Sequence, residues 1–165
     1  MRLEPLDASH ELAGFSCSVP ALDDWLRRHA LDSQRMDSAR TFVAVADTGR
    51  ICGYFSLTMG SVAKAAAPTQ LVRGLPAYPV GAVTLAHLAV AVEDQGIGLG
   101  AQLLAEALRM AVAAGEIVAA RLVVVDALDD AAAKFYQRFG FTGLPEHPLR
   151  LYRRLKDIRA SLGGQ

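Results

Sequence analysis

The stretch Gln95-Gly96-Ile97-Gly98-Leu99-Gly100 stands between an apolar run at 82–92 (AVTLAHLAVAV) and an amphipathic one that starts AQLLAEALRMAVAAG. Glycines remove Cβ atoms, so backbone N–H groups can come close to an anion. A helix that begins there adds its positive N-terminal end. The chemistry this suggests is a cradle for a phosphate or pyrophosphate. The Lys-Ser/Thr of a P-loop is missing, and strict GxGxxG spacing is absent because position 101 is Ala. The same glycines also suit a tight strand-to-helix turn, and spacing leaves both readings open.

Tyr136 sits in DALDDAAAKFYQRFGF, residues 126–141, next to Phe135. A phenol with an ordinary pKa of about 10 suits giving a proton to a leaving thiolate better than taking one from an ammonium. A core aromatic with a satisfied hydroxyl fits the position equally. His87, in the apolar run, could serve as a general base or be a core histidine. Cys17 and Cys52 form no CxxC and no Cys/His cluster, so no metal site is expected and both read as small apolar fillers in a reduced protein.

Several elements must position these groups. Residues 2–7 read as a strand. A helix follows over about 20–36, with Ser18 as N-cap, Pro20 in the first turn and Asp23 and Asp24 near the positive end. Leu22, Trp25, Leu26, His29 and Ala30 mark its apolar face, and Arg27, Arg28 and Arg35 lie opposite. Residues 40–47 and 50–60 form an antiparallel hairpin about Thr48-Gly49. Residues 61–80, with Pro68, Gly74, Pro76 and Pro79, argue against continuous regular structure. A strand at 82–92 leads through the glycine turn into a helix with Gly115 as C-cap. A strand at 119–126, a helix from Asp129 to Arg138, a strand at 147–155 and a short helix or frayed tail at 156–162 complete the order. The prediction is an α/β chain with a mixed sheet, a single domain over residues 1–165.

With 52% hydrophobic and 21% charged residues the composition is that of a globular chain. Seventeen Lys/Arg balance seventeen Asp/Glu, which excludes a strongly basic nucleic-acid-coating protein. The charge is uneven, however. From Thr48 to Val92 there are three basic residues and no acid, and from Lys134 onward seven basic residues against two acids. The charged N-terminus lacks an apolar signal-peptide core, and no apolar run reaches membrane-spanning length, so a cytoplasmic protein is expected.

LAHLAVAVEDQGIGLGAQLL followed by VVVDALDDAAAKFYQRFGF resembles the Gcn5-related N-acetyltransferases, or GNATs. The family pattern Arg/Gln-x-x-Gly-x-Gly/Ala is matched by Gln95, Gly98 and Gly100. A distal A-x-x-F-Y-x-x-x-G-F is matched by Ala132, Phe135, Tyr136, Gly140 and Phe141. The resemblance implies a mixed central sheet with splayed parallel strands flanked by helices, and acetyl-CoA as cosubstrate without a metal. It implies that the strand at Leu88, Ala89 and Val90 binds the pantetheine arm through its backbone. The turn Gln95, Gly96, Ile97, Gly98, Leu99 and Gly100 would hold the pyrophosphate, with Phe135 also at the cofactor. Tyr136 matches the tyrosine that in many members protonates the departing thiolate.

The N-terminal part resembles one branch, the toxins of type II toxin–antitoxin modules that acetylate the α-amino group of aminoacyl-tRNA. Phe15, Cys17, Leu22, Asp23, Trp25, Leu26, Arg40, Thr41, Phe42 and Val43 carry that likeness. It implies an aminoacyl-tRNA acceptor, a cognate ribbon-helix-helix antitoxin and a homodimer. Arg27, Arg28, Arg35, Arg40, Lys64 and Arg73 are the candidate tRNA contacts, and the 61–80 segment a candidate flank of the acceptor groove. A small amine or a protein N-terminus is the alternative acceptor.

Overall fold

Pro20 opens the first helix, where its fixed φ is already helical and its missing N–H costs nothing. The computed structural model describes residues 1–76 and 79–163. These fall into two compact units, Met1–Thr58 with Ala86–Ala107, and Met59–Leu85 with Leu108–Gln165.

In the first unit β1 (Arg2–Pro5) pairs antiparallel with β2 (Arg40–Val45), in register from Arg2↔Val45 to Pro5↔Phe42. β2 pairs antiparallel with β3 (Ile51–Val62), the expected hairpin. Thr41 and Ser56 stand opposite one another, fully buried, and their hydroxyls bond at 2.9 Å. The predicted helix is present as α1 (Pro20–Asp24), a π-helical turn (Trp25–His29) and α2 (Ala30–Arg35). Leu26 and Ala30 point into a core with Leu6, Phe15, Val43 and Tyr54. Ser18 is not the N-cap. It has φ +69°, and Val19 occupies the cap without a side-chain bond. The work of a cap falls to Asp23 instead. Its buried carboxylate reaches back to accept the Cys17 N–H at 2.8 Å and the Ser16 hydroxyl at 3.3 Å.

In the second unit the part of β4 (Val80–Val90) up to Leu85 runs parallel to β5 (Leu122–Asp126), from Ala82↔Leu122 to Leu85↔Val125. The pairing ends at Leu85, while β4 continues to Val90. β5 then pairs antiparallel with β7 (His147–Arg154), and β7 with the short β6 (Thr142–Leu144), which the sequence did not suggest. α4 (Leu99–Ile117) continues past Gly115, which is therefore not its C-cap. A Cβ there would meet Leu155 Cδ1 at 2.9 Å, so that glycine makes room for packing. α5 (Asp130–Arg138) is capped by Asp129, whose carboxylate accepts the Ala132 N–H at 2.8 Å. α6 (Leu155–Gly163) settles the tail as helix.

The 61–80 segment is more ordered than its prolines suggested. β3 runs on to Val62, a 3-10 turn covers Lys64–Ala66, and α3 (Thr69–Val72) follows. Val62, Leu71 and Val80 are buried with Ala82, Leu122, Val124 and Leu144, so the segment closes a core. Residues 77 and 78 of it lie outside the described residues. The chain is thus α/β with parallel and antiparallel pairing, as expected.

Candidate functional site

The first unit holds the glycine turn. Gly96 and Gly98 have φ +80° and +86°, a region that favours glycine, and nothing lies within 4 Å of where their Cβ atoms would be. Ile97 between them is 73% exposed, while Leu99 is buried as α4 begins. The Gly98 carbonyl accepts the Gln102 N–H, so the helix winds directly out of the turn. An open, bare backbone entering a helix N-terminus fits a phosphate-bearing ligand.

Gln95 does not point into that space. Its Nε2 donates to Val90 O at 3.0 Å and to Cys17 O at 3.1 Å. The carboxamide thus ties the end of β4 and the N-terminal segment to the start of the turn.

The edge of β4 can be read from its partners. Ala91 N–H donates to Cys52 O, and Ala89 O lies 2.8 Å from where a Gly53 Cβ would be. Residues 89 and 91 therefore turn their backbone groups to β3. By the two-residue alternation of a strand, the N–H and C=O of Leu88 and Val90 face away from β3. They lie past the last β4–β5 pair, Leu85↔Val125. An extended amide-bearing chain fits such an edge.

His87 shares the 89/91 face. Its ring stacks on Trp25, centroids 3.8 Å apart and 19° from parallel, and Nδ1 is buried without a hydrogen-bond partner. Burial pulls its pKa down to about 4, so at neutral pH the ring carries no charge. That removes the driving force for general-base work. Trp25 also stacks on Tyr54 at 6.1 Å, and Tyr54 donates its hydroxyl to Leu22 O at 2.7 Å. The π-helical turn begins at Trp25; such turns are rare and often mark functional sites. The stack joins residues far apart in sequence, and no local pattern announces it. Cys17 and Cys52 are buried, and desolvation raises the Cys17 thiol to about 11, which fits inert fillers.

The second unit holds Tyr136, on the inner face of α5 and only 6% exposed. Phe135 lies edge-on to it at 5.1 Å and Phe141 at 5.8 Å. Desolvation by these neighbours raises the phenol pKa above its usual value.

Arg27, Arg28, Arg35 and Arg40 each have a carboxylate three or four residues away. Arg27 meets Asp23 at 3.5 Å, Arg28 meets Asp24 at 3.9 Å, Arg35 meets Asp32 at 3.6 Å and Arg40 meets Asp37 at 2.6 Å. Lys64 Nζ donates to Leu75 O at 3.1 Å, and Arg73 is exposed. Among the described residues no three His, Cys, Asp or Glu side chains gather as for a metal, and no helix is long and apolar enough to cross a membrane.

Residues 37–143 match the family model described as an acetyltransferase (GNAT) domain. A tRNA-acetylating toxin of Mycobacterium tuberculosis is 40% identical over 153 residues, covering 93% of this chain and 91% of that protein. The solved structure of AtaT complexed with acetyl-methionyl-tRNAfMet superposes with a TM-score of 0.90 at 28% identity, over 98% of both chains. A tyrosine-to-phenylalanine mutant of AtaT, bound to the C-terminus of the antitoxin AtaR and acetyl-CoA, gives 0.84 at 28% identity, over 99% of this chain and 98% of that one.

Proposed function

The chain belongs to the GNAT family and is an acetyl-CoA-dependent N-acetyltransferase, and on that premise we propose that its acceptor is the α-amino group of aminoacyl-tRNA. The observation that carries this is the 40% identity, along 93% of the chain, to a tRNA-acetylating toxin. The structural likeness to AtaT supports the same acceptor. In this reading the protein is a toxin that blocks translation, a single catalytic domain acting as a homodimer in the cytoplasm. A ribbon-helix-helix antitoxin neutralises it.

The chemistry follows from the residues. The outward N–H and C=O of Leu88 and the outward N–H of Val90, with Ala89 between them, hold the pantetheine arm, and an N–H there polarises the thioester carbonyl. Gly96, Ile97, Gly98, Leu99 and Gly100 supply the backbone that meets the pyrophosphate, Gln95 holds that turn in place, and Phe135 helps wall the cofactor. The acceptor needs little help to lose its proton. A free α-amine titrates near 7.7–8.0, so a substantial fraction is neutral at physiological pH and water can take the proton. His87, depressed to about 4, is not required as base.

Tyr136 serves the leaving sulfur. An ordinary thiol titrates near 8.5, below a phenol that burial has raised above 10. Outright proton donation from Tyr136 to the thiolate therefore runs uphill. The phenol acts by donating a hydrogen bond as charge builds on sulfur. It passes its proton on only as it receives the one released by the attacking amine.

Transfer of label from acetyl-CoA to charged tRNA, with uncharged tRNA as control, tests the reading. Label on charged tRNA alone is the expected result. Tight acetyl-CoA binding with no labelled tRNA would overturn it and point to a small amine or a protein N-terminus.

A further inference from the structure

The formal net charge of zero conceals two opposed halves. The first unit carries six Lys/Arg against eleven Asp/Glu, and the second eleven against six. Every cation of the first unit has a carboxylate within 4 Å. In the second unit Arg150, Arg154 and Arg159 have such pairs, whereas Lys134, Arg138 and Arg153 have no carboxylate within 4 Å among the described residues.

The unpaired cations of the second unit include a cluster around α5. Lys134 and Arg138 are both exposed and lie four residues apart, on one helix face about 6 Å along the axis. Arg138 lies over the Phe135 ring, 5.8 Å from its centre. Past the end of α5, Gly140 has φ +87°, and a Cβ there would meet Arg153 Nε at 3.0 Å. The bare glycine is what lets the Arg153 side chain lie against that end of the helix. Arg153 Nη2 then donates to Ser161 Oγ at 3.2 Å, a neutral partner. Of the acids on the same element, Asp129 caps the helix, and Asp130, one turn before Lys134, makes no ion pair with it within 4 Å.

We propose that Lys134 and Arg138 of α5, with Arg153 of β7, form the surface that grips the phosphate backbone of an RNA. The proposal rests on the aminoacyl-tRNA reading and adds where the nucleic acid is held. An arginine already matched by a carboxylate must exchange that partner for a phosphate, and little is gained. A cation facing only water and neutral groups releases the counterions of the phosphate it meets, and affinity rises accordingly. The helix α1–α2 arginines are of the first kind and the α5 cluster of the second.

The test is the binding of uncharged tRNA to the full chain across a KCl titration, alongside acetylation of charged tRNA and the Kd for acetyl-CoA. Both substitutions in K134A/R138A are exposed and replace helix residues with the best helix former, so the fold is kept. Expected is a salt slope shallower by about 1.4–1.8 and tRNA affinity at least tenfold weaker, with the acetyl-CoA Kd unchanged. R28A/R35A should leave the slope as it was. An unchanged slope in K134A/R138A, or no tRNA binding by the parent chain, overturns the proposal. So does a loss confined to acetyl-CoA binding, which would assign the cluster to the phosphates of the nucleotide. If the slope falls as expected but charged tRNA is never acetylated, the RNA surface stands and the acceptor reading fails.

Discussion

The first unit is acidic, and its arginines are matched at close range. Asp23 closes the N-terminal segment, Gln95 clamps the glycine turn, and its arginines sit beside carboxylates. The second unit is basic, carries its phenol among aromatic rings, and among the described residues leaves Lys134, Arg138 and Arg153 without a carboxylate within 4 Å. Both use charge, but to different ends. In the first, ionised and amide groups fix a backbone that must present N–H and C=O groups in one arrangement. In the second, charge is left available for something that arrives from solution.

The sharpest way to probe this contrast is to remove one group from each unit and compare what is lost. Tyr136→Phe in the second unit should lower kcat by roughly 10²–10³-fold while the acetyl-CoA Kd holds, because the ring packing stays and only the hydroxyl leaves. Single-turnover kinetics checks it, and full turnover would show that the phenol takes no part. Asp23→Ala in the first unit should cost about 2–3 kcal/mol in urea unfolding. It strands the Cys17 N–H in a buried place, with activity falling only as the folded fraction falls. A loss of activity without loss of stability would mean that Asp23 acts in the chemistry.

A smaller effect concerns pH. His87 titrates at about 4 in the folded chain and near 6.5 when unfolded. Between those values the unfolded chain binds the extra proton, so stability is complete above about 6.5 and declines as pH falls toward 4. Tm measured over that range should drop in the parent and drop less in His87→Gln. Equal slopes would place the acid sensitivity elsewhere. Smallest of all, Arg28→Ala should change stability by no more than a few tenths of a kcal/mol, since its pair with Asp24 is exposed and 3.9 Å long. A cost above about 1 kcal/mol would show that the short-range pairing of the first unit is structural.

Elements with strong local signals were legible in the sequence. The hairpin about Thr48-Gly49, the β4–turn–α4 passage and α5 all follow from local spacing and glycine, although Asp129, taken as the first residue of α5, is its cap. The errors arose where distant residues decide local structure. Ser18 has the chemistry of a cap, but the carboxylate that serves the N-terminal segment comes from inside the helix, at Asp23. Gly115 looked like a helix end, yet it is a space for Leu155, forty residues on. The 61–80 prolines masked Val62, Leu71 and Val80, whose burial depends on β5 and β6 residues that local reading does not supply. Among the site residues, the glycine turn was read correctly as bare backbone. Gln95 was grouped with it, although its side chain is a clamp, and the Trp25–His87 stack carried no signal at all. The arginines of α1–α2 were named for their charge, and their partners were visible three and four residues away.

The bond from Gln95 to Cys17 spans 78 residues, and that length has a consequence in time. During synthesis the N-terminal segment emerges first, with its Asp23 tie available at once. Its Cys17 carbonyl must wait until Gln95 has been made. Loop length itself adds little, since each doubling costs only about 0.6 kcal/mol of closure entropy. The order of events matters more. The glycine turn becomes anchored only when the earliest and middle parts of the chain have met, so a nascent chain released before Gln95 has its Asp23 tie and no anchored turn.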